Sequence, residues 1–482
     1  MPRFSDINFR YTDAEEEKLY SPELIEKAYV DADQIIEKID WPNIFLIIGP
    51  KGSGKTALSS KLSLMESSNW DLFVETDILE QFEYQLLKKT GGQKGVSIGG
   101  ALTAWQLILF LRIMQLFLKD EKFKDKNEII NKFSTSLRNY GLTESSSLIN
   151  IIQYTSRRGV FSKIKSIISE LNGERIEEEK YTIKDPSALL GAIKEIFSQI
   201  NPADSKYYLF LDGLDYILRE GRNNAIYIAD LINAVRELNI FFVKINIKAK
   251  IIILIRNEVL KIIPDPNLTK RINDNGIFLR WYDNTRDPLK TELLRIIEKR
   301  ANLAGYSKSI HDLWNEWFPQ YIHNSLSYRF ILNNTRYLPR DIISFFRELQ
   351  KIRKDPPFKE NDILAALNNY SDWFLSELKD AVVGLFAEQL RNKLPSILFD
   401  LGKNFQFIEL EKAIKKHCPS DENSVAKIAE ELFNTAWIGN VWKDSRSGTY
   451  RYNWIFRKYN ASFKRNKSII VHPGLYKSLN LL

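Results

Sequence analysis

The sequence predicts an α/β fold built on a parallel sheet, on three observations. Ile44 to Ile48 is an apolar run that discharges directly into Gly49-Pro50-Lys51-Gly52-Ser53-Gly54-Lys55-Thr56, the pattern G-x-x-x-x-G-K-T. A second run, residues 206–211, ends in Asp212, and a third, residues 248–255, delivers Arg256 at its carboxyl end. Continuous apolar runs bounded in this way are what strands buried on both faces look like.

The elements follow in order. Residues 1–40 read as a polar, Glu-rich helical leader, with Tyr20 and the stretch Ile25 to Tyr29 packing on the core. The run 44–48 is the first strand, and Thr56-Ala57-Leu58 opens the helix after the loop. A glycine-rich loop between strand and helix is a phosphate-binding loop: its N–H groups converge on the β-phosphate, Lys55 spans the β- and γ-phosphates, and the Thr56 hydroxyl ligates Mg2+. The interval from Thr56 to Asp212 far exceeds the dozen or so residues that a crossover needs, so a helical insertion over about 90–190 is expected. Gly91 to Gly100, with five glycines, would be its hinge or a flexible loop. Within the insertion, Ala101 to Leu118 is apolar enough to suggest a membrane span, but it carries Gln106, Arg112 and Gln115 and reads instead as a buried helix.

Asp212, at the end of Leu209-Phe210-Leu211, is placed to hold the water shell of Mg2+. Arg256 falls at the sheet edge where ligands sit and is placed to reach the γ-phosphate, unless it only caps its strand by pairing with an acid. A lid helix is expected from Asp287-Pro288 to Gly305, with acid and Pro at its start and Gly at its end. Pro339 would occupy the first turn of a later helix, and Pro356-Pro357 would mark the exit from the lid.

The last hundred residues read as a winged helix. Phe407 to Lys416 and Asp421 to Trp437 are two helices, and Trp442 to Phe456 is a hairpin around Ser445-Arg446-Ser447-Gly448 in which Tyr450, Tyr452, Trp454 and Phe456 alternate. Residues 440–467 carry eight basic residues against the single acid Asp444, a wing that could grip phosphates or stack bases. The helix beside it carries Asp421, Glu422, Glu430 and Glu431, a poor charge balance for entering a groove.

Composition sets limits. At 482 residues, 44% apolar and 12% aromatic, the chain is long enough for about three packed domains. A single cysteine, Cys418, excludes an internal disulfide, and the start of the chain lacks a charged-then-apolar leader, so a cytoplasmic location is expected. His311, His323, His417 and His472 show no metal-ligand spacing. A net charge of +8 is a mild basic bias.

The loop, the Leu209-Phe210-Leu211-Asp212-Gly213-Leu214-Asp215 strand and the strand ending in Arg256 together resemble the STAND branch of AAA+-type P-loop ATPases, NACHT-like members in particular, over about residues 40–345. That resemblance implies a sheet in the order 5-1-4-3-2, Mg2+ on Thr56 and Asp212, an attacking water oriented by Asp215, and Arg256 as a γ-phosphate sensor. It also implies that Pro339 and Arg340 touch the nucleotide from the lid, and that Arg271 lies where such rings carry a finger for the neighbouring subunit. The family's closing glutamate is Tyr216 here, which implies slow hydrolysis suited to a switch. The implied organisation is a leader (1–40), an ATPase core (41–285), a lid (286–355) and a linker with winged helix (356–482).

Two functions follow as expectations. The first is a Mg2+-dependent ATPase switch or assembly platform, resembling proteins of bacterial antiphage defence, with ATP as ligand, nucleotide-dependent homo-oligomers, an effector protein and no membrane. The alternative is a DNA-handling AAA+ ATPase of the origin-recognition or transposition-helper type, using the wing at 440–467. The acidic helix 421–437 favours the first. No guanine-selecting N-K-x-D pattern follows the Asp212 strand in a suitable place, which leans toward adenine.

Overall fold

The computed structural model describes residues 2–79, 100–128, 130–131, 186–214, 224–283, 287–418, 424–458 and 460–481. Most of the expected insertion, and the glycine-rich hinge apart from Gly100, lie outside these. The chain forms two compact units: Met1–Ala32 with Gly52–Gly54 and Arg280–Leu482, and Asp33–Lys51 with Lys55–Leu279.

The second unit is an α/β layer around five parallel strands: β1 (Leu46–Ile48), β2 (Leu72–Ile78), β3 (Lys206–Asp212), β4 (Ala249–Ile255) and β5 (Gly276–Phe278). Their order is β2-β3-β4-β1-β5, the expected 5-1-4-3-2 taken from the other edge. All of β1 and β4 is buried, because helices cover both faces of a parallel sheet. The register sets Ile48 beside Ile255 and Leu211 beside Ile253, so Gly49, Asp212 and Arg256 all emerge at one carboxyl edge.

Helix Gly100–Phe117, expected within the insertion, belongs to this unit's core, packed with helix Ala225–Lys244 and with β2 and β3. Its polar residues are all engaged. The buried Arg112 grips Asp77 of β2 through two hydrogen bonds of 2.8 and 3.1 Å and reaches Gln115 at 3.0 Å and Glu75 at 3.3 Å, while Gln106 bonds Glu237. An arginine in an apolar helix is tolerable only with such partners. Among the described residues no helix is long and apolar enough to cross a membrane.

The first unit is mainly helical. The leader is part of it: Phe4 meets Trp317 edge-on at 5.2 Å and Phe358 at 4.8 Å, and Arg300 donates to the Asn8 carbonyl at 2.9 Å and pairs with Glu17. Ile25 and Ala28 are buried as expected, whereas Tyr20 is 64% exposed, a correction. The expected helix 287–305 is interrupted. A short turn, Pro288–Lys290, is followed by extended Thr291, whose hydroxyl donates to the Pro288 carbonyl at 2.8 Å, and the helix proper is Glu292–Leu303. After the small ribbon β6 (Tyr321–Ile322) and β7 (Ser325–Leu326), helix Pro339–Ile352 packs on Glu360–Ala381, with Pro339 in its first turn as expected.

A four-stranded antiparallel sheet closes the unit: β8 (Asn404–Phe405), β9 (Ile438–Lys443), β10 (Tyr450–Asn453) and β11 (Ser468–Val471), in the order β10-β9-β11-β8, with helices Phe407–His417 and Val425–Asn434. The hairpin β9–β10 exists, but its strand stops at Asn453. Trp454 is buried against Gly439, whose Cβ would lie 2.6 Å from the indole, and Trp454 and Phe456 pack on His472. The alternating aromatics are therefore split between an exposed outer pair, Tyr450 and Tyr452, and an inner pair that builds the module.

Candidate functional site

The site grows from the carboxyl edge of β1, β3 and β4. The chain leaves β1 at Gly49, whose N–H donates to the Ile255 carbonyl at 3.2 Å, and re-enters regular structure at Lys55, the start of helix Lys55–Glu66. Gly52 and Gly54 both have positive φ, 87° and 93°, a conformation that glycine adopts without steric cost. This is the local reason for glycine at those two positions of the motif.

In the second unit, the Lys55 ammonium curls back to donate to the carbonyls of Gly49 at 2.9 Å and Pro50 at 3.1 Å. Thr56 Oγ1 donates to Asp212 Oδ2 at 2.8 Å, and the other oxygen of Asp212 accepts from Gly213 N–H at 2.7 Å. Residues 156 apart in sequence, Thr56 and Asp212, are thus brought into direct contact by the adjacency of β1, β4 and β3. Arg256 follows β4 as the N-cap residue of helix Asn257–Leu260, half-buried. Asp215 and Tyr216 lie outside the described residues.

Arg271 is half-buried and engaged. It sits in helix Leu268–Asn275, pairs with Asp265 at 2.8 Å and donates to Asn233. In the first unit Arg340 is similarly held: its backbone N–H meets the Gly52 carbonyl at 3.4 Å, and its guanidinium donates to the Thr12 carbonyl at 3.1 Å and to Asp13 at 3.2 Å and lies 3.8 Å from Glu377. Pro339 opens that helix and is buried.

Three residues at these places escaped the sequence reading. Trp281 donates its indole N–H to the Ser53 carbonyl at 2.8 Å within the first unit. Asn257 and Glu258, directly after Arg256, each hold a buried side-chain oxygen that accepts no hydrogen bond. The available signal was position: both follow a strand whose end was already identified as the ligand edge. A buried acceptor without a donor costs about 1–3 kcal/mol and is commonly met where function requires it.

Among the described residues no group of three or more His, Cys, Asp and Glu could hold a metal. The pair Thr56 and Asp212 nevertheless fits Mg2+, which usually takes one or two protein oxygens and completes its shell with water and phosphate.

A family model described as a FunZ-associated C-terminal helical domain matches residues 291–379, the helices from Glu292–Leu303 through most of Glu360–Ala381. The match runs through the boundary expected at residue 355, in keeping with the packing of helix Pro339–Ile352 on Glu360–Ala381. No curated protein matches the chain.

Proposed function

We propose that the chain is a Mg2+-dependent ATPase with slow turnover, of the P-loop class and similar to STAND proteins, acting as a nucleotide-controlled switch or assembly platform. The observation that carries this reading is the contact between Thr56 Oγ1 and Asp212 Oδ2 at 2.8 Å, one residue beyond a lysine whose ammonium is folded onto the loop. A hydroxyl and a carboxylate paired across two strands at a ligand edge are the two protein oxygens that a nucleotide-bound Mg2+ needs.

In this reading Lys55 exchanges the carbonyls of Gly49 and Pro50 for phosphate oxygens, and the N–H groups of the loop hold the β-phosphate. Mg-ATP supplies the phosphoryl group and the charge that Lys55 and Arg256 balance. Asp215 orients the water, with Glu258 the other carboxylate in the sequence beside that edge. The tyrosine at 216, where a second acid would sharpen proton abstraction, supports slow hydrolysis. Nucleotide-dependent homo-oligomers, an effector protein and a role in antiviral defence belong to the same proposal and rest on the resemblance alone.

The test is calorimetric. ATP should bind the parent protein and fail to bind Lys55→Ala at matched fold, and a size measurement without nucleotide, with ADP and with a non-hydrolysable analogue should separate assembly states. Equal affinity of parent and variant would refute the site.

A further inference from the structure

We propose that the outer half of the β9–β10 hairpin, with Lys458, Lys464 and Lys467, binds single-stranded nucleic acid. The proposal stands on the first unit alone and does not depend on the ATPase reading.

Cross-strand register sorts the hairpin side chains. Tyr450 lies opposite Lys443 and Tyr452 opposite Val441, so these four share one face; Arg451 lies opposite Trp442 on the other. Toward the root both faces are closed, one by Trp454 over Gly439 and the other by buried Ile438, Ile469 and Val471. Only the outer half is open, and there Tyr450 is 65% and Tyr452 44% exposed on an edge strand. Exposed tyrosines on an unpaired edge invite aggregation unless something covers them or charge protects them.

The charge around them is strongly one-sided. Asp444 is consumed locally: it accepts from Arg446 N–H at 2.9 Å and Ser447 N–H at 3.0 Å and pairs with Arg451 at 2.5 Å. Arg465 is matched by Glu430 at 3.5 Å, and Arg457 lies over the rings of Tyr282 and Tyr452 at 5.1 and 6.0 Å. Lys443, Arg446, Lys458, Lys464 and Lys467 have no ion-pair partner among the described residues. Two of them, Lys464 and Lys467, hold their ammonium groups 5.0 and 5.7 Å from the centre of the Trp442 ring. The outer half of the hairpin therefore joins cation and aromatic ring on each face, Lys443 with Tyr450 and Tyr452 on one and Lys464 and Lys467 with Trp442 on the other, so that a bound strand would wrap its edge.

That pattern matches a chain alternating phosphate with flat, stackable bases, and one whose bases are not already stacked on a partner strand. An acidic peptide would satisfy the lysines and leave the rings idle. A duplex would need an element that can enter a groove, and the helix beside the hairpin, Val425–Asn434, carries Glu430 and Glu431. The acidic helix that opposed groove entry does not oppose a strand laid on the hairpin.

The experiment is fluorescence anisotropy of the full chain with a labelled 12-nucleotide oligothymidylate over a salt series. Each phosphate neutralised contributes about −0.7 to the slope of log affinity against log salt, so Lys443→Ala/Lys464→Ala/Lys467→Ala should flatten the slope by about 2. Tyr450→Ala/Tyr452→Ala, at exposed positions, should weaken binding about tenfold or more at unchanged slope. Circular dichroism melting should be unaltered in both. Parent-like affinity in either variant overturns the proposal. So does equal binding of a duplex of the same length, or of polyglutamate, with no response to loss of the tyrosines.

Discussion

Asp212→Asn separates metal binding from folding at the candidate site. The carboxylate makes two contacts, with Thr56 Oγ1 at 2.8 Å and Gly213 N–H at 2.7 Å. Asparagine has the same shape. Its carbonyl oxygen keeps one of the two donors, and its amide can donate to the threonine hydroxyl, which is also an acceptor. The structural loss is then one charge-assisted contact converted to a neutral one, about 1 kcal/mol, which for a unit of this size corresponds to roughly 2–4 °C in melting temperature. The effect on Mg2+ is larger in kind, because a full negative charge is removed from the carboxylate that accepts from Thr56. Titration calorimetry with ATP in EDTA should give parent-like affinity, while the gain on adding Mg2+ should shrink about tenfold or more, equivalent to at least about 1.4 kcal/mol. An undiminished Mg2+ effect would refute the assignment of Asp212, and loss of binding in EDTA would mean that the carboxylate shapes the loop instead.

Asp215→Asn should cut turnover by about 10²-fold or more with nucleotide affinity retained, measured as phosphate release beside calorimetry; turnover within about twofold of the parent assigns the step to another carboxylate. Arg112→Met leaves Asp77 buried without its partner and should cost about 3–5 kcal/mol in urea denaturation, much of it recovered in Arg112→Met/Asp77→Asn. Burial, and secondarily the charge of Arg336, push His472 down to about 3, and its Nδ1 accepts from Gly474 N–H at 3.1 Å, which requires the neutral ring. The unfolded chain takes up that proton at the ordinary histidine value, so stability should be level above about pH 6.5 and fall as pH drops from there toward 3, approaching about 1.4 kcal/mol per pH unit; urea midpoints of His472→Gln should show a shallower fall.

The strands of the α/β sheet were legible because each is apolar throughout: Leu46 to Ile48 and Ile251 to Ile255 can be buried on both faces and nothing else suits them. The two ends of the site were legible for the same reason, since a loop of fixed chemistry and an acid follow such runs. Pairings between distant segments were not. Helix Gly100–Phe117 is apolar all round, so its periodicity says that it is buried and not against what, and Arg112 gives no hint of Asp77, 35 residues away. The break at Thr291 and the exposure of Tyr20 likewise depend on neighbours contributed by the fold. In the C-terminal hairpin alternation was read correctly to Asn453; beyond it, Gly439 leaves room for an indole, and Trp454 leaves the strand to fill it.

These details bear on how the two ends of the chain divide the work. Arg271 and Arg340, the arginines that the resemblance assigns to nucleotide or to a neighbouring subunit, are both engaged, by Asp265 and Asn233 and by Asp13 and the Thr12 carbonyl. Using either on phosphate would require breaking contacts with a charged partner that each cost more to lose than a solvated arginine would. Arg256 stands directly after β4, as the N-cap residue of helix Asn257–Leu260. A switch in which Arg271 and Arg340 are released only on a change of state would turn over slowly. Loss of Asp13 through Asp13→Asn should then weaken the hold on Arg340 and raise the turnover rate, whereas an unchanged rate would place Arg340 outside the cycle.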